Sequence, residues 1–276
     1  MKKLTQALLL AGVIAVPAAL VSTSAMADAP APSYTLTSNV SLVSDYYFRG
    51  QSQTWHKPAL QGGIDFNHES GFYAGLWGSS ISGKFINEGS LELDYYGGYN
   101  GKITDDFGYT FGLYGYYYPG ADYKGNNSGL PSQKYDTLEW NAGLSYKMVS
   151  VKYSQTITNW FGVNNQTVTS LDRGNTKGSS YLEANASFEV APTWVLGLHV
   201  GHTNIKGNFT GADGSTNPDF TDYKISMTKN FDGGWNVGVA YVDATKDAFW
   251  KTTAWGSSDT MNPNKSTWIV TAGRAF

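Results

Sequence analysis

Twelve short segments of this chain alternate apolar and polar residues, and the connectors between them alternate short and long. Alternation with a period of two puts successive side chains on opposite faces of a strand. The connector lengths add a direction to that pattern. Strands that cross a bilayer must pair every backbone N–H and C=O within the protein, and a closed sheet does so without leaving an edge. Such barrels carry short turns on one side of the membrane and long loops on the other. The pattern predicts an all-β fold: a transmembrane antiparallel up-and-down β-barrel of about twelve strands, with short periplasmic turns and long extracellular loops.

The predicted strands are 34–49, 58–67, 72–81, 89–100, 107–118, 135–146, 149–158, 179–190, 194–204, 220–231, 235–243 and 265–276. In the first, Leu36, Val40, Leu42, Tyr46 and Phe48 form the outward set, with Asp45 and Arg49 inward. Asp232-Gly233-Gly234 reads as a hairpin turn that requires positive φ. The longer connectors fall near 50–57, 82–88, 119–134, 159–178, 205–219 and 244–264. An even strand count then puts both ends of the barrel on the short-turn, periplasmic side.

A soluble β-sandwich or soluble barrel also alternates, but with its apolar set turned inward. Aromatic residues gathered at strand ends, as in membrane-interface girdles, favour the membrane barrel. The mean hydropathy of −0.32 looks soluble, yet polar lumen residues dilute any lipid-facing set. The chain holds 32 glycines against an ordinary usage of ~7 % and is 15 % aromatic. It has no cysteine, so sheet closure rather than disulfides must hold it. Charged residues make up 15 %, with no basic cluster, which argues against nucleic acid as a partner.

Residues 1–27 read as a cleaved signal peptide: Lys2 and Lys3, an apolar run from Leu4 to Val21, and the small-x-small site Ala25-Met26-Ala27. Residues 28–33 form a short Ala/Pro tether, and 34–276 the barrel. An exported barrel of this kind belongs in the bacterial outer membrane.

The last strand resembles the terminal signal of outer-membrane barrels, with Trp268, Val270 and Phe276 on one face. That resemblance implies insertion by the barrel-assembly machinery, with help from periplasmic chaperones. Arg274 interrupts the apolar set, and its long stem suits snorkelling to the headgroups. The stretch Ser44-Asp45-Tyr46-Tyr47-Phe48-Arg49-Gly50-Gln51-Ser52, followed by Pro58-Ala59-Leu60-Gln61-Gly62-Gly63, resembles the opening signature of the TorF porin family. Tyr117-Tyr118-Pro119-Gly120 and Phe276 are similar to it as well. The likeness covers most of the mature chain and is weakest near 159–178 and 249–264. It implies an outer-membrane barrel with a channel role, and it brings no solute and no site residues.

Following the alternation inward gives an acidic lumen. Asp45, Asp65, Glu92, Asp94, Glu139, Glu183, Glu189 and Asp222 face in, against Arg49, Lys152 and Lys224. Most of them lie towards the extracellular half. A carboxylate ring in a low-dielectric wall favours cations. The same charges could instead pair and fill the lumen, since twelve strands fall between filled small barrels and open porins. Inward aromatics include Tyr47, Tyr73, Trp77, Tyr96, Tyr114, Tyr116 and Tyr118, and they could stack on solutes or simply fill volume.

Nothing in the spacing points to catalysis, a cofactor or a metal. Of four histidines, His199 and His202 fall on opposite faces by parity, which breaks the one metal-like pair. The sequence thus reads as a non-enzymatic porin that lets small hydrophilic solutes diffuse, biased towards cations. Its rival is a non-conducting barrel that binds a ligand or partner through its extracellular loops. Outer-membrane lipid is the expected surrounding in either case.

Overall fold

The computed structural model describes residues 32–126 and 128–276. The signal peptide and all but the last two residues of the tether lie outside the described residues. The barrel strands are β1 (Tyr34–Val43), β2 (Ala59–His68), β3 (Phe72–Ser80), β4 (Leu91–Lys102), β5 (Phe107–Tyr117), β6 (Thr137–Tyr146), β7 (Val149–Thr156), β8 (Ser180–Ala191), β9 (Trp194–Asn204), β10 (Phe220–Asn230), β11 (Trp235–Ala244) and β12 (Thr267–Ala275). Each pairs antiparallel with its neighbours in the chain, and β1 pairs with β12 from Asn39↔Ala275 to Val43↔Thr271, so the sheet closes. Helical structure among the described residues amounts to one turn, Asp247–Trp250, and brief 3₁₀ segments.

The apolar set faces out. Leu60 is 60 % exposed, Phe72 63 % and Trp268 65 %, whereas Glu92 is 0 % and Glu139 2 % exposed. A soluble barrel would show the reverse, because burying apolar area is what drives folding in water. This outer surface is suited to lipid. The short-turn end is ringed by outward aromatics, Tyr34, Phe72, Tyr146, Trp194, Trp235 and Phe276 among them, at the level where amphipathic rings meet headgroups. Gly233 and Gly234 take φ of +73° and +80° in the β10–β11 turn, as its sequence requires.

One predicted strand is wrong in extent. β1 ends at Val43 rather than Arg49. Beyond it, residues 44–58 leave the wall and fold into the barrel, and Tyr46 and Phe48, expected to face lipid, lie inside. The inserted segment has its own two-residue ladder, Tyr47↔Ser52 and Phe48↔Gln51. That ladder continues the period of two, so alternation alone could not mark where the wall stops.

Candidate functional site

The inserted hairpin is organised by one side chain. Asp45, 6 % exposed, accepts from Ser52 Oγ at 2.7 Å and Thr54 Oγ1 at 2.8 Å, and meets His56 Nδ1 at 2.8 Å. The tip is Arg49-Gly50, with φ of +45° and +77°. Two successive positive φ values are what a two-residue hairpin of matching twist requires. Gly50 is confined further: a Cβ there would stand 2.5 Å from Asp222 Cβ and 2.8 Å from Ala244 Cβ. Arginine in the left-handed region is strained, and such strain persists only where surroundings fix it.

The surroundings do so from across the whole lumen. Tyr46 packs on Trp77 of β3 at 5.4 Å between centroids, and Phe48 on Tyr116 of β5 at 5.3 Å. Arg49 donates from both terminal nitrogens to Glu139 of β6, at 2.8 and 2.7 Å, and its guanidinium lies 4.3 Å from the Tyr181 ring of β8. Gly50 abuts β10 and β11. The hairpin therefore spans the barrel from the β3 side to the β11 side. The last extracellular connector ties it from above: Ser52 N–H donates to the Pro263 carbonyl at 3.0 Å, and Gln51 Nε2 to Asn264 Oδ1 at 2.9 Å. Phe161, in the β7–β8 loop at a φ of +43°, presses on Phe48 and Tyr116.

Beneath and around the hairpin, the lumen charges divide into two walls. From β6 to β10 they are matched. Glu139 takes Arg49, and Glu183 takes Lys152 at 3.0 Å and Asn185 Nδ2 at 3.0 Å. Asp222 meets His199 Nε2 at 2.8 Å and accepts from Tyr181 Oη at 3.1 Å, while His199 Nδ1 reaches Asn185 Oδ1 at 2.7 Å. Lys224 follows two residues after Asp222 on the same face and stands opposite His199 in the ladder. Tyr181 has room because it lies over Gly201, where a Cβ would collide with the ring.

From β2 to β5 the carboxylates are unmatched. Glu92 accepts from Tyr118 Oη at 3.0 Å, Asp94 from Tyr114 Oη at 2.8 Å and Asp65 from Tyr96 Oη at 2.6 Å. No cation lies within 4.0 Å of any of the three among the described residues. Glu92 Oε2 and Asp94 Oδ1 have no hydrogen-bond partner among the described residues. Tyr96 and Tyr114 stack face to face at 5.1 Å, which fixes both hydroxyls. A tyrosine O–H satisfies one carboxylate oxygen but brings no opposite charge.

The lumen residues expected from sequence thus face inward, with two revisions. Asp45 and Arg49 lie on the hairpin, not on the wall. Glu189 stands exposed at the periplasmic rim, where it accepts from Thr193 N–H at 3.2 Å. His199, weighed in the sequence only as half of a metal-like pair, belongs to the site together with Tyr181, Asn185 and Phe161. Parity was a usable signal for the first three, whereas Phe161 sits in a loop with no period to read. His202 is exposed on the outer face, so the two histidines do diverge.

Asp45 raises the pKa of His56 above its ordinary value of ~6.5, chiefly through their hydrogen bond and against partial burial and the Lys265 charge. The contact therefore supports the hairpin fully below the unfolded histidine's pKa. That support fades as pH rises through the higher folded value. Hairpin docking, read as resistance to protease cleavage within 44–58, should weaken as pH rises above the ordinary histidine value of ~6.5. His56→Gln should remove the pH dependence, and a variant that keeps it would assign the effect to another group.

The chain belongs to the family described as "Bacterial protein of unknown function (Gcw_chp)", whose profile matches residues 27–276. No curated protein matches the sequence. Among solved structures the fold is similar to the NanC porin, with a TM-score of 0.50 and 9 % identity over 88 % of this chain and 99 % of that one. The KdgM porin gives 0.47 and 8 %, over 87 % and 99 %. An outer-membrane channel from Pseudomonas putida F1 gives 0.44 and 13 %, over 92 % and 100 %. At these identities the likeness is one of fold.

Proposed function

We propose that this chain is a porin of the bacterial outer membrane, which passes small hydrophilic solutes by diffusion and favours cations. The observation that carries the reading is the division of the lumen. On the β6–β10 wall Glu139 has Arg49, Glu183 has Lys152 and Asp222 has His199, whereas Asp65, Glu92 and Asp94 on the other wall have tyrosines but no cation. The uncompensated field falls where the hairpin narrows the passage, and low-dielectric walls focus it. The resemblance of residues 44–63 to the TorF porins and the NanC-like fold support the same reading. In that setting the chain's partners are outer-membrane lipid and, during insertion, the barrel-assembly machinery and periplasmic chaperones.

Planar-bilayer recording tests it. The purified barrel should conduct, and in a salt gradient its reversal potential should show cation preference. Asp65→Asn, Glu92→Gln and Asp94→Asn combined should move that potential towards zero. Glu139 is left out of this set because Arg49 already cancels its charge. An unchanged potential would reject the acidic wall as the source of selectivity. The hairpin's reach across the lumen favours a second reading, a barrel closed to solutes whose loops bind a partner. Silence at all voltages would select that one.

A further inference from the structure

Arg274, the residue that breaks the apolar terminal set, is fixed at the short-turn rim. Its Nε–H donates to the Gly233 carbonyl at 3.1 Å, and its guanidinium lies 5.2 Å from the Trp235 ring and 4.7 Å from that of Phe276. Two strands away on the same outward face, the Lys229 ammonium lies 5.2 Å from the Trp194 ring and donates to Thr193 Oγ1. Lys229 pairs with Trp194 in the β9–β10 ladder, and Arg274 with Trp235 in the β11–β12 ladder. Through β11 the two ladders are offset: Lys229 pairs with Val237 and Val237 with Ala272, so Arg274 stands two residues beyond the β12 position opposite Lys229. Among the described residues no carboxylate lies within 4.0 Å of either cation, although Asp232 in the β10–β11 turn and Glu189 at the end of β8 are the acidic groups of this sector. The terminal nitrogens of Arg274 make no hydrogen bond with the described residues.

We propose that this sector, β9 to β12, binds the phosphate of an anionic phospholipid headgroup between Lys229 and Arg274. Two strand spacings and the two-residue offset separate the two backbones by roughly 12 Å, within reach of both long side chains. Aromatic faces hold both cations at the interface level. Above them the same outer face is apolar and exposed at Val239 and Val270, a surface for acyl chains and not for a free ion. A phosphate at this depth is a headgroup, and a fixed guanidinium edge suits its oxygens.

The proposal rests on the barrel being lipid-embedded, and its test separates the two. The full barrel is reconstituted in nanodiscs of phosphatidylcholine with a minority of phosphatidylglycerol, and lipid retained after release into detergent is counted by native mass spectrometry. Failure to enter the discs would count against the membrane reading itself. With incorporation, phosphatidylglycerol should be retained over phosphatidylcholine. Retention should drop several-fold in Lys229→Gln/Arg274→Gln and hold in Lys147→Gln, whose ammonium lies over Tyr146 elsewhere on the rim. Lys229→Gln alone should give a partial loss, and it keeps the test valid if changing the last strand impairs assembly. Equal retention of the two lipids, an unchanged double variant, or displacement by excess inorganic phosphate would each overturn the proposal.

Discussion

Replacing Ser44–Pro58 with Asn-Gly should raise single-channel conductance several-fold while leaving the barrel closed. The excision is stereochemically simple. Val43 and Ala59 are already paired partners at the ends of β1 and β2, and Asn-Gly is the strongest short connection between two such ends. The wall loses only the two bonds of Ser44, whose N–H donates to the Val270 carbonyl at 2.9 Å and whose Oγ accepts from Val270 N–H at 2.9 Å, while β1 keeps β2 on one side and β12 on the other. What is lost is the hairpin that joins β3, β5, β6, β8, β10 and β11 across the lumen. Parent and variant should both show the heat-dependent gel mobility expected of a folded barrel, and conductance in bilayers should climb. Retained mobility with unchanged conductance would mean that solutes already bypass the hairpin, so that it does not set the constriction.

The barrel was legible because two constraints on the sequence are strict. Lipid forces one strand face to be apolar, and closure forces strands into pairs, so alternation and connector length both survive in the residues. Parity also found the lumen side of Glu92, Asp94, Tyr96 and Glu139 correctly. It failed at Tyr46 and Phe48 because an inserted hairpin alternates as the wall does. The punctuation was present nonetheless. Ser44-Asp45 supplies a turn acid, Arg49-Gly50 has a glycine where positive φ is needed, and the two lie too close together for a membrane-spanning strand to end and a distant loop to begin.

Charge pairing was less legible than charge position. Lys152 and Glu183 lie 31 residues apart in sequence but are direct partners in the β7–β8 register, as are Asn185 and His199 in the next ladder. Register can be inferred once turns are placed. The Arg49–Glu139 contact cannot be, since it crosses the lumen and follows no ladder. A simple count of eight acids and three bases therefore suggested a uniformly acidic ring. The structure instead gives Glu139 and Glu183 basic partners and leaves Asp65, Glu92 and Asp94 with tyrosines alone, so the proposed selectivity rests on those three.

Arg49→Ala should undock the hairpin without unfolding the barrel. The Arg49 and Glu139 side chains are 11 % and 3 % exposed, and both guanidinium bonds are short. Removing one partner of a buried, hydrogen-bonded ion pair typically costs about 3–5 kcal/mol, mostly by leaving the other charge unmet. The ladder hydrogen bonds are untouched, so this cost falls on hairpin docking. At about 1.4 kcal/mol per factor of ten, the docked fraction relative to undocked should fall by roughly two to three and a half orders of magnitude. Conductance should then approach that of the excised variant, interrupted by brief closures. Arg49→Ala/Glu139→Ala should dock better than Arg49→Ala alone, because no charge is stranded, and the shortfall from additivity measures the pair. Arg49→Lys should fall between them, as an ammonium cannot reproduce the two-pronged contact. If the single and double alanine variants open equally, the ion pair is not the latch, and the aromatic contacts of Tyr46 and Phe48 hold the hairpin instead.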